Sequence, residues 1–449
     1  MKDLDLRGTR AVVVGLAKSG LASIELLVSR GAAVSACDSR PLDQLPGVAE
    51  ALSRLGVPFR LQTWEALERA DWVVISPGVP ADLEVLGKAR QGGIRVIGEV
   101  ELASFFLEGD TIGITGSNGK TTTTAMVGHL LRECGIPAQV GGNIGTLPAT
   151  GMVATSRPGQ WNVLELSSFQ LETTVHFRAR IAAVLNVTQD HLDRHHTFEG
   201  YAAAKARLLE TQLPGDHAVL NADDPTCVAY ASITRGRPIW FSLSRRLGEG
   251  VWLEESRIVL DGRTLLEAGE IPLRGRHNIE NAMAAAAVAR LAGAPLESIA
   301  AAIRSFRAVE HRLEFVRQVR GVDFYNDSKA TNVDSALKAV EAFDGPLWVI
   351  LGGKDKGSDY TPLAAPLARK ARAVLLIGAA TPLIAAGLKG AAPLVECGTM
   401  EKAVETAMAM AAPGDTVVLA PACASFDQFE SYEHRGRVFK QLVSQLEET

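Results

Sequence analysis

The segment Ile112-Gly113-Ile114-Thr115-Gly116-Ser117-Asn118-Gly119-Lys120-Thr121-Thr122-Thr123 constrains this chain more than any other stretch. An apolar run enters two glycines, a lysine and a row of threonines, a pattern that predicts a strand, a tight turn and a helix. Bare glycine backbone lets amide N–H groups turn inward around an oxyanion. The helix that follows aims the positive end of its dipole at the same point. A lysine there reaches the outer phosphates of a nucleotide, and the next hydroxyl can meet Mg2+. The turn departs from the usual eight-residue phosphate loop. Ile114 stands where the first glycine is expected, and only Ser117 and Asn118 separate Gly116 from Gly119. A plain strand–turn–helix junction is the bland alternative, but packing alone does not call for Gly-x-x-Gly-Lys-Thr-Thr at a strand end.

The 449 residues give room for about three domains. A net charge of −5 argues against a general nucleic-acid binder. Cys37, Cys134, Cys227, Cys397 and Cys423 are scattered without a Cys-x-x-Cys pair, as expected of reduced thiols. The start, Met1-Lys2-Asp3-Leu4-Asp5, does not resemble a signal peptide, and no run approaches the ~20 apolar residues of a membrane span. A cytoplasmic protein with neither membrane nor nucleic-acid partner is expected.

Short β-branched runs alternate with alanine-rich helical stretches, which predicts an α/β protein with parallel sheets. Arg10–Val14 reads as a buried strand, Gly15–Gly20 as a turn, and Ala33–Asp38 as a second strand ending in an acid. This is the layout of a Rossmann half, although Gly-x-x-x-x-Gly replaces the dinucleotide fingerprint. Three domains are expected. Residues 1–98 form a Rossmann-like unit, 99–306 a central ATPase-type parallel sheet, and 307–449 a second Rossmann-like unit. Within the central domain, Trp240–Leu243, Gly250–Leu253 and Arg257–Leu260 read as a small antiparallel patch.

Several groups sit where an open α/β sheet binds ligands, at the carboxyl ends of strands. Glu165 ends a strand and offers the hard oxygen that Mg2+ prefers, with a helix-starting acid as the alternative. Asp190-His191-Leu192-Asp193 clusters acids and a histidine past another strand end. Lys205, in an alanine-rich helix, reads on its own residues as a solvated lysine. Asn326-Asp327-Ser328-Lys329-Ala330-Thr331-Asn332 packs small polar groups after a strand, as either a site or a capped turn. Gly352-Gly353-Lys354-Asp355-Lys356-Gly357 and Ala424-Ser425-Phe426-Asp427 follow two further strands, and the lysines suit an anionic ligand.

These motifs, in this order and together with Gly141-Gly142-Asn143-Ile144-Gly145, Gly275-Arg276-His277-Asn278 and His311-Arg312, resemble the Mur ligases of bacterial peptidoglycan precursor synthesis. The resemblance spans essentially the whole chain, and the shortened phosphate loop is the normal form in that family. It implies ATP bound by Gly116, Ser117, Asn118, Gly119, Lys120, Thr121 and Thr122, with Asn278, Arg312 and Asp327. It implies two Mg2+ ions held by Thr121, Glu165, His191 and Lys205, the last as a carbamate. Lys120, His191 and Lys205 are then the catalytic group. Thr115-Gly116 stands where one branch carries His-Gly, and the Asp-Asn-Pro-Arg of another is absent. The resemblance is nearest to the branch that adds D-glutamate to UDP-N-acetylmuramoyl-L-alanine, whose first domain is likewise a compact Rossmann-like unit. That implies nucleotide-substrate contacts from Leu16, Ala17, Asp38, Ser39, Arg40, Gly78 and Asn143. D-glutamate would meet Thr331, Lys356, Ser425 and Tyr432, the last at a position often held by phenylalanine.

The implied reaction is amide formation through an acyl phosphate by a monomer, with the third domain closing over the site. Another amide ligase of the superfamily, such as one adding glutamate to folate, is the nearest alternative, and the nucleotide-type first domain argues against it. A regulator that only hydrolyses ATP would have no use for ligand loops in a third domain. A nicotinamide dehydrogenase lacks its fingerprint here.

Overall fold

A computed structural model describes residues 4–145, 147–307 and 309–447, with Asp193 described in its backbone alone. The side chain of Asp193, expected in the acid–histidine cluster, therefore lies outside the described residues, as do Met1, Lys2 and Asp3. The chain divides into two compact units. One comprises Met1–Ala268 with Glu280–Arg304, the other Gly269–Ile279 with Ser305–Thr449.

The first unit holds two sheets. In the first, β1 (Arg10–Val14), β2 (Ala33–Asp38), β3 (Phe59–Leu61), β4 (Trp72–Ile75) and β5 (Arg95–Gly98) run parallel in the order β3-β2-β1-β4-β5. Ala11 and Val13 of β1 pack into one hydrophobic cluster, Val12 and Val14 into another. Successive side chains of a strand point to opposite faces, so a strand covered on both sides must be apolar throughout. That is why Ala11-Val12-Val13-Val14 reads as a run rather than an alternation.

The second sheet contains β6 (Asp110–Thr115), β7 (Ala138–Gly142), β8 (Trp161–Glu165), β9 (Ile181–Val184), β10 (His217–Asn221), β11 (Arg237–Ser242), β12 (Val251–Glu254), β13 (Arg257–Leu260) and β14 (Arg263–Glu267). Their order is β14-β13-β12-β11-β10-β9-β6-β8-β7. The expected antiparallel patch is smaller and later than Trp240–Leu260. β11 pairs parallel with β10 and with β12, and antiparallel pairing begins only at β12–β13. Asp223 holds the chain where β11 ends. Its carboxylate accepts from Ser242 Oγ, Leu243 N–H and Ser244 Oγ at 2.7, 2.7 and 2.5 Å. These bonds grip the exit of β11, and the chain then loops back to enter β12 in the same direction.

The second unit carries one sheet of β15 (Glu314–Val319), β16 (Val322–Asn326), β17 (Leu347–Gly352), β18 (Ala371–Ile377), β19 (Leu394–Gly398) and β20 (Thr416–Leu419). Its order is β15-β16-β20-β17-β18-β19, parallel except for β15–β16. Leu347, Val349 and Leu351 join one core, Trp348 and Ile350 the other. Among the described residues no helix is long and apolar enough to cross a membrane.

Candidate active site

The phosphate-type loop is fixed by its neighbours. Thr115 Oγ1 at the end of β6 donates to the Leu166 carbonyl at 2.8 Å. Asn118 N–H donates to Asn186 Oδ1 at 2.8 Å, and Asn186 Nδ2 returns a bond to the Asn118 carbonyl at 3.2 Å. Ser117 Oγ donates to the Thr188 carbonyl and accepts Thr188 N–H, both at 2.8 Å. Gly119 then starts the helix Lys120–Glu133 at φ 83°, a left-handed conformation that suits glycine. A Cβ there would stand 2.2 Å from Asn281 Oδ1. The loop is thus held by its neighbours, its Ser117 and Asn118 amides spent on Asn186, and it presents the first turn of the helix from that frame.

Lys120 lies across this loop, its Nζ 2.9 Å from the Gly116 carbonyl and 2.8 Å from that of Ser117. Lys205 Nζ meets the same Gly116 carbonyl at 2.8 Å. Its sequence reading as a solvated side chain is wrong, for it is only 1% exposed. The helix Phe198–Glu210 buries Tyr201, Ala204, Lys205, Leu208 and Leu209 on one face, and Lys205 occupies a core position of that stripe. Burial and the nearby Lys120 charge push its ammonium well below the ordinary range, against the pull of Asp190. Lys205 Nζ also sits 4.5 Å from the centre of the Tyr201 ring.

Glu165 closes β8 at 1% exposure. Its Oε1 accepts Asn143 Nδ2 at 2.9 Å, while Oε2 is buried without a hydrogen-bond partner. A helix-capping role does not explain it. The following helix, Ser168–Leu171, is capped by Ser167 with Gln170 completing a capping box. A buried carboxylate oxygen left unpaired beside a phosphate-type loop suits a hard divalent cation. His191 takes φ 54°, its backbone N–H bonds Asp190 Oδ1 at 2.9 Å, and its ring meets Phe169 edge-on at 4.9 Å.

At the first sheet, Asp38 ends β2 and holds the loop after β1. Its carboxylate accepts Leu16 N–H and Arg40 N–H, each at 3.0 Å. Burial raises the Asp38 carboxyl, but the bonds from Arg40 and Leu16 outweigh it and leave it below the usual range. Leu16 turns its side chain into the core, whereas Ala17, Ser39, Arg40 and Gly78 are exposed around the strand ends. Gly20 is required by packing, since a Cβ would fall 1.9 Å from the Gly15 carbonyl. Ser76 Oγ donates to that same carbonyl at 2.6 Å.

The remaining predicted residues belong to the second unit. Asp327 is buried at the end of β16 and accepts Leu313 N–H at 3.3 Å. Burial raises its carboxyl to about 6 against the nearby Arg312 charge. That charge also helps burial and Lys338 to push His277, next to Asn278, down to about 3. Arg312 thus lies within electrostatic reach of Asp327 and of His277, the neighbour of Asn278. Thr331 follows β16, Lys356 follows β17 and is exposed, and buried Ser425 follows β20. The last two loops are tied together, Lys354 N–H donating to the Ala424 carbonyl at 2.8 Å and Ala424 N–H to that of Lys354 at 3.1 Å. Tyr432 begins the helix Tyr432–Ser444, and Lys329 Nζ lies 3.7 Å from its ring centre.

Asn186, Tyr201 and Arg435 frame these sites yet were not singled out by sequence. Arg435 had a signal: at the spacing Arg435, Phe439, Val443 it takes an apolar position of a helix stripe. Tyr201 shows the same spacing relative to Lys205 and Leu209.

Residues 9–98 match the family description "Mur ligase MurD-like, N-terminal domain", 114–289 "Mur ligase middle domain" and 311–423 "Mur ligase, glutamate ligase domain". The chain is 64% identical over 444 residues, 99% of each chain, to a UDP-N-acetylmuramoylalanine--D-glutamate ligase of Solibacter usitatus. It is 50% identical to one of Acidobacterium capsulatum, over 98% of this chain and 97% of the relative. Among solved structures, a MurC from Thermotoga maritima aligns with TM-score 0.61 at 18% identity, covering 97% of this chain and 99% of that one. A MurF from Acinetobacter baumannii gives the same score and identity over 98% and 92%. These two speak for the fold; the full-length sequence relatives and the three matched segments speak for descent. The chain belongs to the Mur ligase family.

Proposed function

We propose that this protein joins the amine of D-glutamate to the alanine carboxylate of UDP-N-acetylmuramoyl-L-alanine with cleavage of ATP. The observation that carries the reading is the pair of lysines on one carbonyl. Lys120 and Lys205 converge on Gly116 at the turn of a phosphate-type loop, and the buried one is held toward its neutral form.

A carboxylate is a poor acyl donor. Its oxygen attacks the γ-phosphorus, the bond to the β-phosphate bridging oxygen breaks, and ADP leaves. The glutamate amine then attacks the acyl carbon, the carbon–oxygen bond to phosphate breaks, and the amide nitrogen gives up a proton. Two anions must meet in the first step, so catalysis is chiefly positional and electrostatic. Lys120 and the amides of the first helical turn from Gly119 to Thr122 cradle the phosphates, with Gly116, Ser117 and Asn118 shaping the turn. Thr121 and Glu165 would hold one Mg2+ ion, with Glu165 Oε2 the unpaired ligand atom, and His191 and Lys205 as its carbamate would hold a second; bound there, the ions would supply positive charge to offset the repulsion of the reacting anions. Carbamate forms when a neutral amine adds to CO2 and loses a proton, which is why the depressed Lys205 matters. Asn278, Arg312 and Asp327 complete the ATP contacts.

Residues 1–98 receive the uridine nucleotide at Leu16, Ala17, Asp38, Ser39, Arg40 and Gly78, and Asn143 meets the muramoyl part. Residues 99–306 carry ATP, and 307–449 receive D-glutamate at Thr331, Lys356, Ser425 and Tyr432. The protein acts as a cytoplasmic monomer. The test is phosphate release from ATP and Mg2+ that requires both UDP-N-acetylmuramoyl-L-alanine and D-glutamate. Release independent of D-glutamate would defeat the reading.

A further inference from the structure

Arg435 is 0% exposed, and no carboxylate among the described residues forms an ion pair with it. Burial lowers its guanidinium to about 10, so it remains charged at neutral pH. Such a charge is tolerable only when its donors are used. Arg435 makes five hydrogen bonds. Nε donates to Ser328 Oγ at 3.0 Å and Nη2 to the Ser328 carbonyl at 2.8 Å. Nη1 donates to the Cys423 and Ala424 carbonyls at 3.2 and 3.3 Å, and Nη2 to Cys423 at 3.2 Å. Every acceptor lies on a loop at the carboxyl end of β16 or β20. A third loop, after β17, is drawn in through the Lys354–Ala424 bridge, and a Cβ on Gly353 would stand 2.2 Å from the Ala424 carbonyl. The helix that presents Arg435 opens with Tyr432 one turn earlier, and Ser328 Oγ donates to the Tyr432 carbonyl at 2.8 Å.

We infer that Arg435 is the positioning residue of the amino-acid site, fixing from beneath the three strand-end loops and the helix start that carry Thr331, Lys356, Ser425 and Tyr432. The planar guanidinium matters more than its charge. Its fork reaches five acceptor contacts at once, while an ammonium has three donors on one point. This inference rests on the proposed assignment of those four residues to D-glutamate.

The experiment uses the full chain with Arg435→Lys, and Ser328→Ala as a milder second variant. Hydrogen–deuterium exchange is read over residues 328–332 and 423–426, followed by steady-state kinetics. In Arg435→Lys, protection of both loops falls about tenfold while the helix Tyr432–Ser444 stays protected. The KM for D-glutamate rises tenfold or more, with the KM values for ATP and the UDP substrate within threefold of the parent. Ser328→Ala shows the same pattern at about threefold, and decides the matter if Arg435→Lys does not fold. Unchanged loop protection, or equal increases in all three KM values, overturns the inference. A parent enzyme indifferent to D-glutamate sinks the assignment of the amino acid instead, and loop protection still judges the role of Arg435.

Discussion

Lys120 and Lys205 donate to the same oxygen, the Gly116 carbonyl, from 2.9 and 2.8 Å. Burial first, and the Lys120 charge second, push the Lys205 ammonium toward its neutral form. A shared carbonyl therefore links the phosphate-binding residue to the residue proposed to carry a carbamate.

Lys205→Ala is expected to lower turnover about a thousandfold, roughly 4 kcal/mol of transition-state stabilisation. Added bicarbonate should not restore it. Carbon-13 NMR of the parent in labelled bicarbonate should show a carbamate resonance that the variant lacks. Full activity of the variant would remove the carbamate from the mechanism.

In CO2-free buffer, where the parent carries the unmodified amine, Lys205→Met should unfold no more readily than the parent in urea at neutral pH, despite its inactivity. The sign follows from the depressed ammonium. Between the folded value and the ordinary 10.5 the unfolded chain binds more protons, so parent stability rises with pH through that window. The apolar variant lacks this slope. Parallel pH profiles for the two would contradict the burial argument.

Glu165→Gln keeps an acceptor for Asn143 Nδ2 but removes the charge behind the unpaired Oε2. Turnover should fall on the order of 10²–10³-fold, with Mn2+ binding, followed by electron paramagnetic resonance, weakened in parallel. Unaltered Mn2+ affinity would take Glu165 out of the ligand set.

Asp327 titrates near 6 in the folded protein against an ordinary 3.8, about two units or roughly 3 kcal/mol at most. A raised carboxyl means the folded state holds its proton longer. Stability is therefore lost as pH rises from about 4 to 6. Asp327→Asn escapes this loss, so its urea midpoint relative to the parent should improve from pH 4 to 7. A constant difference would refute the assignment.

Gly20→Ala places a methyl 1.9 Å from the Gly15 carbonyl. It should destabilise the first unit by about 1–3 kcal/mol and raise the KM for the nucleotide substrate. An unchanged KM would show that the loop from Gly15 to Gly20 does not touch that substrate.

The chain announced its strands because parallel strands covered on both faces must be apolar throughout, and its ligand loops because glycine, lysine and small hydroxyls cluster only where backbone must turn around an anion. Ile112–Thr123, Glu165 and the loop at Asn326 were legible for that reason. Sheet register was less so. Trp240–Leu243 looked antiparallel, yet it pairs parallel on both sides, with Asp223, distant in sequence, gripping the strand exit. Lys205 and Arg435 show the limit most plainly. Each is one more basic residue in a helix, and residue identity says nothing of solvent. Tertiary packing removed water from both, pushed one ammonium toward its neutral form, and left one guanidinium to be satisfied by a hydroxyl and the carbonyls of two loops. The sequence by itself determined which groups stand at the strand ends. Their protonation and their mutual placement were decided by burial, a property of the assembled fold.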